Sequence, residues 1–321
     1  MTTAQAPIDS PFGYRSTALE VVNGIDLTGK TAFVTGGYSG LGTEVVRALA
    51  AAGARRPARA RRPDKAAEDL ADVGGAIEIL KLDLSDPASI DACAEDVARR
   101  TGQLDIVINN AAIMACPLAR DARGFESQFA TNHLGHFQLT ARLWPLLKAA
   151  GQARLVSVSS IGHRLNGLSI EDPNFEHRDY DKWLSYGQAK SANALFALQL
   201  DKLGAPHGVR AFAVHPGGIV TPLQRHLTMD EQKAMGWFDA DGAVHPMFKS
   251  PAEGASTSVW CATSPLLAGQ GGVYCEDCNI GTLAGDPPPP ISGVWPHIRD
   301  EALAAALWDK SEAMTGVVFR P

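Results

Sequence analysis

A glycine-rich turn, TGGYSGLG, separates an apolar strand pattern at residues 30–35 from an amphipathic helical pattern at residues 43–52. A strand that passes through such a turn into a helix is typical of dinucleotide sites, because the helix N-terminus offers free N–H groups and a positive dipole end to phosphates. Gly36 permits the tight turn, Gly40 lets the backbone approach a pyrophosphate, and Gly42 lets helix and strand pack closely. The turn therefore predicts an α/β fold that binds a dinucleotide.

The rest of the chain alternates in the same way. Strand patterns recur at residues 30–35, 77–82, 105–108, 154–159, 210–214 and 272–274. Helical patterns fall between them, which is the signature of a parallel sheet with right-handed crossovers. We therefore predict a doubly wound parallel sheet, a Rossmann fold, in a single domain.

The predicted domain spans residues 27–285, after an N-terminal extension at 1–26 and before a proline linker and C-terminal helix at 286–321. Residues 221–250 interrupt the alternation and are rich in Met, Trp and Phe. A segment of this kind is expected to cover an apolar substrate. The alternative is that it packs on itself or faces a second subunit, so a homo-oligomer is possible.

Tyr186 and Lys190 lie four residues apart within a helical pattern at residues 183–203. This spacing places both side chains on one helix face. A free tyrosine has a pKa near ~10, and a neighbouring ammonium lowers the pKa by stabilising the phenolate. After a dinucleotide turn, the pair predicts a proton-transfer device; alone, it would be a common helical spacing.

Three further polar residues are candidates for the same site. Ser159 and Ser160 end the strand pattern, at the sheet edge where doubly wound folds bind ligands. Neighbouring residues of a strand point to opposite sides, so only one serine can reach a substrate oxygen. Asn132 interrupts the apolar helical pattern at 125–147 and needs a hydrogen-bond partner, either in a catalytic network or on a nearby backbone carbonyl.

At these residues the chain resembles the short-chain dehydrogenase/reductase superfamily, over about residues 27–278. The motifs that carry the resemblance occur in the expected order, and they are TGGYSGLG, Asp83 in LKLDLSD, NNAA at 109–112, Asn132, the paired serines, Tyr186 with Lys190, and HPGGIVT at 215–221. The resemblance implies an enzyme that transfers hydride between a nicotinamide and a CH–OH or C=O carbon.

The resemblance also implies roles for single residues. Tyr186 would be the general acid and base, and Lys190 would hold the nicotinamide ribose and lower the tyrosine pKa. Ser160 would polarise the carbonyl, with Ser159 in reserve, and Asn132 would support a water that relays protons.

Cofactor contacts are implied along the same motifs. The positions are Gly36, Tyr38, Ser39, Gly40, Leu41, Gly42, Asp83, Leu84, Asn109, Ala111, Tyr186, Lys190, Pro216, Gly218, Ile219 and Thr221. Asp83 and Asn109 would face the adenine, whereas the PGG turn and Thr221 would meet the nicotinamide carboxamide.

The finer resemblance is to the retinol-dehydrogenase-like and WW-domain-oxidoreductase-like group, through TNHLGHF, VSSIGHRL and the long stretch between Ser160 and Tyr186. It implies a lipophilic ketone, aldehyde or alcohol as substrate. Two alternatives remain open. One is a protochlorophyllide-reductase-like C=C reductase, and the other is a non-catalytic protein that senses NADP(H).

The second strand departs from the family pattern. After Gly53 a buried apolar strand is expected, but the chain has RRPARARRPDK at residues 55–65. Proline loses a ladder donor inside a sheet, and arginine is rarely buried unpaired. Either this is a genuine but weakened strand, or compensating frameshifts alter the coding sequence; resequencing the gene separates the two.

The end of that strand also bears on the cofactor. Relatives specific for NAD place an acidic residue there to bind the ribose 2′-hydroxyl. This chain has Arg61 and Arg62, which suit a 2′-phosphate through bidentate, charge-assisted hydrogen bonds. We therefore expect NADP(H) to be favoured, with NAD(H) possible.

Composition excludes several other classes of protein. The net charge of −6 gives no electrostatic support for nucleic-acid binding. No apolar run reaches the length of a membrane span and no signal peptide is evident, so we expect a cytoplasmic protein.

The five cysteines include one CxxC at Cys275 and Cys278 but no second pair for zinc, and the histidine spacing matches no metal motif. No metal site is expected.

Overall fold

The computed structural model describes residues 3–60, 63–74, 77–285 and 291–321, with the backbone alone for residues 56–60, 63 and 65. Within these residues the strands are β1 (Ala32–Thr35), β2 (Arg56–Ala60), β3 (Ile77–Lys81), β4 (Ile106–Asn109), β5 (Ala153–Val158), β6 (Val209–His215), β7 (Val273–Glu276) and β8 (Asn279–Ile280). They form one sheet in the order β3-β2-β1-β4-β5-β6-β7-β8, in which only β7 and β8 pair antiparallel. The predicted doubly wound Rossmann fold is confirmed.

Helices cover both faces of this sheet. They are α1 (Ala18–Val22), α2 (Leu41–Ala51), α3 (Pro63–Asp69), α4 (Pro87–Arg100), α5 (Ser127–Phe129), α6 (Gly135–Ala149), α7 (Lys182–Gly204), α8 (Met229–Ala234), α9 (Pro251–Thr263) and α10 (Glu301–Thr315). Among the described residues, no helix combines the length and the apolarity needed to cross a bilayer.

The sheet separates two apolar cores because successive strand residues face opposite sides. Val34 and Ile108 face the core beneath α1, α2 and α9, whereas Phe33 and Val107 face the core beneath α4, α6 and α7. All four residues of β1 and of β4 are buried, as expected for central parallel strands. This arrangement fixes the positions of the strand ends at which ligands bind.

The irregular second strand has a regular backbone path. The residues Arg56–Ala60 pair in parallel with β1 on one side and β3 on the other, with Val34 opposite Ala58 and Pro57 opposite Glu78. This path agrees with the hypothesis of a genuine strand. The frameshift hypothesis concerns the gene and stays a prediction.

The segments outside the predicted domain pack onto it. Helix α1 of the N-terminal extension contacts α2 and α9, and α10 near the C-terminus packs along α7.

Within the predicted domain, residues 221–250 contain a short 3₁₀ turn at Pro222–Gln224 and α8, and otherwise irregular structure. The predicted proline linker, residues 286–290, lies outside the described residues.

Candidate active site

A cavity of about 1140 Å³ opens where four parallel strands end. Gly36 follows β1, Asn110 follows β4, Ser159 follows β5 and Pro216 follows β6, and all four line it. The carboxyl ends of β1 and β4 lie at the point where the strand order reverses, which is the usual ligand site of such folds. Strand topology therefore explains why motifs far apart in sequence meet here.

Most of the predicted site residues line this cavity. They are Gly36, Tyr38, Ser39, Gly40, Leu41, Asp83, Leu84, Ala111, Ser160, Tyr186, Lys190, Pro216, Gly218, Ile219 and Thr221. Gly42, Asn109 and Asn132 lie behind its wall. Arg61 lies outside the described residues.

The glycine turn is packed too closely to accept side chains. Gly36 and Gly40 have φ of 64° and 54°, in the left-handed region that favours glycine. A Cβ at Gly42 would lie 2.0 Å from the carbonyl oxygen of Gly36. Helix α2 starts beside the cavity with Gly40 as its N-cap and no side-chain capping bond. The N–H of Gly42 donates to the Ser39 carbonyl at 3.1 Å, and the positive end of the helix dipole adjoins the cavity. This cradle fits the pyrophosphate of a dinucleotide.

Asn110, which the sequence analysis did not single out, ties this turn to the neighbouring strand. Its side-chain amide donates to the carbonyl oxygen of Thr35 at 2.9 Å, and the residue lines the cavity. The preceding Asn109 is 1% exposed and donates to Thr140 Oγ1 at 3.2 Å. The two asparagines alternate along the strand, so the alternation could have indicated that only one of them faces the ligand.

Asn132 lies on a π-helical turn, Ala130–Leu134, between α5 and α6. Its side-chain oxygen accepts from the backbone N–H of Ile113 and its amide donates to the Ile113 carbonyl, both at 2.9 Å. Ile113 lines the cavity. The buried asparagine thus has the backbone partner expected for a polar residue in an apolar pattern, and that partner is part of the site wall.

A buried imidazole connects Asn132 to the glycine turn. Nδ1 of His136 lies 2.9 Å from the Asn132 carbonyl, which can only accept, so the proton of the neutral imidazole resides on Nδ1. Nε2 then accepts from the Thr35 hydroxyl at 2.9 Å, whose other acceptor, the Ile108 carbonyl, is more distant at 3.5 Å; the same hydroxyl oxygen accepts from the N–H groups of Asn110 and Ala111, each at 2.9 Å. Burial lowers the pKa of His136 to about 4, in agreement with this neutral tautomer.

The paired serines have separate partners. Ser159 is 1% exposed and donates its hydroxyl to the Lys190 carbonyl at 2.7 Å. Ser160 Oγ accepts from the N–H of Gly162 at 3.0 Å and forms a hydrogen bond with the Tyr186 side chain. Of the two, Ser160 has the hydroxyl beside the tyrosine.

Tyr186 and Lys190 share one buried face of α7, which begins after the N-cap Asp181. Lys190 Nζ donates to the Val158 carbonyl at 2.9 Å and lies 5.6 Å from the centroid of the Tyr186 ring. The Tyr186 ring packs closely against the backbone of Gly162, where an added Cβ would lie 2.8 Å from Tyr186 Cε1. The tyrosine, the lysine and the serine thus converge at one point of the cavity.

Burial controls both pKa values. It raises the pKa of Tyr186 to about 12, although the hydrogen bond with Ser160 acts in the opposite direction. Burial also lowers the pKa of Lys190 to about 7. The lowered tyrosine pKa expected from the sequence is therefore corrected in direction, because desolvation disfavours the phenolate and the ammonium alike.

The opposite side of the cavity is apolar. Trp237 from residues 221–250 packs edge-on against Trp183 of α7, at 6.1 Å between ring centroids. It also packs against Phe248 in a tilted arrangement at 5.9 Å. An ion pair between Lys182 and Glu231 joins α7 to α8. The segment predicted to cover the substrate thus lies against the helix that carries Tyr186.

Two aromatic lining residues come from outside the predicted domain, residues 27–285. Tyr14 belongs to the N-terminal extension and Trp295 follows the proline linker, and both line the cavity. No periodicity or motif in the sequence distinguishes either aromatic residue from an ordinary surface one. Their contribution depends on long-range packing.

The remaining cysteines and histidines agree with structural roles. All five cysteines are free and buried. Asp277 and Cys278 form the two-residue turn between β7 and β8, both at positive φ, which accounts for the CxxC spacing. His215 Nδ1 accepts from the N–H of Ile161 at 3.1 Å, and burial lowers its pKa to about 3. No cluster of three metal-binding side chains occurs in the part of the chain that the structure describes.

Comparison with known proteins identifies the family. The family model described as "short chain dehydrogenase" matches residues 30–232. A protein of Streptomyces antibioticus named "Probable oxidoreductase" is 46% identical over 89% of this chain and 97% of its own. "Retinol dehydrogenase 12" of Homo sapiens is 35% identical over 91% of this chain and 88% of its own. The crystal structure of an uncharacterised protein from Mycobacterium paratuberculosis, 31% identical, superposes with a TM-score of 0.73 over 95% of this chain and 99% of that one. This chain belongs to the short-chain dehydrogenase family and is an oxidoreductase that acts on CH–OH or C=O groups.

Proposed function

We propose that this protein transfers hydride reversibly between a nicotinamide dinucleotide and the carbonyl or alcohol carbon of a lipophilic small molecule, with Tyr186 as general acid and base. One observation carries the proposal. The hydroxyl of Ser160, the phenol of Tyr186 and the ammonium group of Lys190 converge in a cavity that extends from the glycine turn to an apolar cover.

The residues that would hold the cofactor follow from the cavity walls. The glycine turn and the N-terminus of α2 suit the pyrophosphate, Asp83 and Leu84 suit the adenosine side, and Lys190 suits the nicotinamide ribose. The bound nicotinamide would supply or accept the hydride. The fold of this family binds nicotinamide dinucleotides, and Gly36 and Gly40, which line the cavity without side chains, fit that use.

The chain's own residues supply the proton. In reduction, the hydroxyls of Ser160 and Tyr186 hydrogen-bond the substrate oxygen and polarise the carbonyl. Tyr186 then gives its proton to that oxygen as negative charge develops there. A neutral phenol is the required donor, and its raised pKa keeps the proton on Tyr186 at neutral pH.

Lys190 and Asn132 would serve the return of that proton. The pKa of Lys190, about 7, allows this group to gain and lose a proton near neutral pH. Asn132 holds the Ile113 backbone, which forms the wall beside the pair. We propose that a water supported by Asn132 connects Lys190 to solvent.

The substrate class is inferred from the apolar side of the cavity. Met114, Leu223 and Trp237 pack with Tyr186 in one apolar cluster. Retinol, after which one relative is named, is a lipophilic alcohol. A lipophilic ketone, aldehyde or alcohol suits these walls better than a sugar or an amino acid, because apolar pockets gain affinity by burying apolar surface.

Tyr186→Phe tests the proposed chemistry. Without the phenolic proton, kcat for reduction of a lipophilic aldehyde should fall by about 10²–10⁴-fold, the usual contribution of a general acid. Tyr180→Phe is the matched control, because Tyr180 donates to the Cys116 carbonyl and does not line the cavity. A Tyr186→Phe variant with wild-type kcat would make the assignment wrong.

The choice of cofactor is tested separately. We propose NADP(H) over NAD(H) from Arg61 and Arg62, whose placement lies outside the described residues. Tryptophan-quenching titrations with NADPH and NADH should show clearly tighter binding of NADPH. Equal or tighter binding of NADH would reject the phosphate role of these arginines without affecting the proposed chemistry.

A further inference from the structure

Lys249 is a buried lysine without a part in the chemistry proposed above. Its side chain is 0% exposed, and its ammonium lies 2.6 Å from Asp277 Oδ1. The same ammonium lies 4.5 Å from the centroid of the Tyr14 ring, within cation–π distance. A buried ammonium is costly unless it is compensated, so these two partners account for its position.

The lysine stem supports the PGG turn from behind. Gly217 has a φ of 99°, and a Cβ at this position would lie 2.8 Å from Lys249 Cδ. The backbone N–H of Lys249 donates to the Gly218 carbonyl at 2.8 Å. Gly217 and Gly218 line the cavity at the place proposed for the nicotinamide. Any movement of Lys249 therefore moves one wall of the site.

The N-terminal extension also binds the backbone just before Lys249. The hydroxyl of Tyr14 donates to the Met247 carbonyl. Arg15 donates to the Phe248 carbonyl at 3.0 Å and to the Pro246 carbonyl at 2.6 Å. Three consecutive carbonyls at the end of the covering segment, residues 221–250, are thus bound by two neighbouring residues of the extension.

We propose that Tyr14 is a positioning residue of the ligand site: through Lys249 and Met247 it fixes both the PGG turn and the end of the covering segment. Tyr14, Met247 and Lys249 all lie outside the region 30–232 that the family model matches. We call the contacts of Tyr14 with Lys249 and Met247 the clamp. The clamp is a property of the free protein, whereas its effect on NADPH binding rests on the proposed function.

Hydrogen–deuterium exchange of the free protein tests the clamp. Tyr14→Ala removes both the ring over Lys249 and the hydroxyl on Met247, so the amides of residues 236–249 should exchange faster. Tyr14→Phe keeps the ring and should restore most of the protection. Phe12→Ala is the matched control, because Phe12 is an aromatic residue of the same extension that packs against the apolar core; it should leave these amides unchanged.

NADPH titration of the same variants tests the consequence for binding. We expect Kd to rise about tenfold in Tyr14→Ala, the loss that one desolvated cation–π contact would produce, and less than about threefold in Tyr14→Phe. In a Lys249→Met background, Tyr14→Ala should raise Kd by less than about threefold, the share left to the Met247 hydrogen bond, because the contact of the ring with the ammonium is already lost.

The outcomes separate the two proposals. Wild-type exchange in Tyr14→Ala, or equal changes in Phe12→Ala, would overturn the clamp. Additive effects of Tyr14→Ala and Lys249→Met on Kd would also overturn it. If the wild-type protein bound neither NADPH nor NADH, the proposed function would fail, whereas the exchange experiment would still decide on the clamp.

Discussion

The two sides of the cavity are built differently. The strand-end side consists of buried polar groups with assigned partners, as in the chain from Thr35 through His136 to Asn132. The covering side consists of apolar and aromatic side chains, several of them partly exposed, such as Met235 at 43%. Hydrogen bonds fix a group in one geometry, whereas apolar contacts tolerate different shapes. We therefore propose that the chemistry lies on the strand-end side, which we call the precise side, and that the choice of substrate lies on the covering side.

Gly42→Ala should have the largest effect on cofactor binding, because it distorts the glycine turn on the strand-end side. The new Cβ would lie 2.0 Å from the Gly36 carbonyl oxygen, so the turn must distort. An overpacking cost of about 3 kcal/mol corresponds to roughly 100-fold weaker NADPH binding. Gly102→Ala is the control, since nothing lies within 4 Å of a Cβ there. Normal Kd in Gly42→Ala would show that this side also adapts.

Substitution of each serine by alanine tests whether their different hydrogen-bond partners reflect different roles. Ser160→Ala should lower kcat by about 10²–10³-fold, the range for loss of one donor to a developing oxyanion. Ser159→Ala should lower the free energy of unfolding by about 1 kcal/mol, through loss of its bond to the Lys190 carbonyl, with kcat changed less than about tenfold. The opposite ranking of kcat would transfer the substrate contact to Ser159.

Trp237→Ala should have a smaller effect, confined to the substrate. It removes apolar surface from the covering side, so KM for a lipophilic aldehyde should rise about tenfold while NADPH binding and kcat stay nearly unchanged. Trp237→Phe should recover most of the loss. If instead kcat and kcat/KM fall together, the covering side takes part in the transition state, and the division into two sides is too simple.

Acid should lower the stability of the whole fold. Burial lowers the pKa values of His133 and His215 to about 3 and of His136 and His163 to about 4. The unfolded chain binds these protons below pH ~6.5 whereas the folded chain does not, so their contribution to stability is lost as the pH falls from there towards 4. Glu276, whose pKa burial raises to about 7, acts in the opposite direction.

Thermal unfolding at several pH values measures this balance. We expect Tm to be roughly 5–10 °C lower at pH 5 than at pH 7, since four histidines outweigh one carboxyl. A Tm that is equal or higher at pH 5 would contradict the prediction.

Much of the fold could be predicted, because it depends on local patterns. The glycine turn, the alternation of strands and helices, and the helix of Tyr186 and Lys190 follow from residue periodicity and backbone chemistry, and β1, β3 and β5 lie within two residues of their predicted bounds. The π-helical turn around Asn132 was not predicted, because its pattern is almost the same as that of an ordinary helix.

The parts that could not be predicted depend on three-dimensional packing. The place of Tyr14 is set by contacts more than 200 residues away in sequence, as with its bond to Met247. The direction of the Tyr186 pKa shift depends on burial, which the spacing of Tyr186 and Lys190 does not contain. Which of Asn109 and Asn110 faces the cavity depends on how β4 leaves the sheet.

The amide of Gln5 has a consequence for how the molecule behaves among its own copies. It accepts from the Tyr274 N–H at 2.9 Å and donates to the carbonyls of Tyr274 and Gly281 at 2.8 and 2.7 Å, while Asn279 and Ile8 bond to each other in both directions. These groups belong to the outermost strands of the sheet, where open peptide groups invite another chain to add itself. A side-chain amide here occupies the position of one more peptide unit. A chain that lacked the N-terminal extension, residues 1–26, would therefore expose unpaired peptide groups at this margin of the sheet, and we expect it to precipitate even where its fold persists.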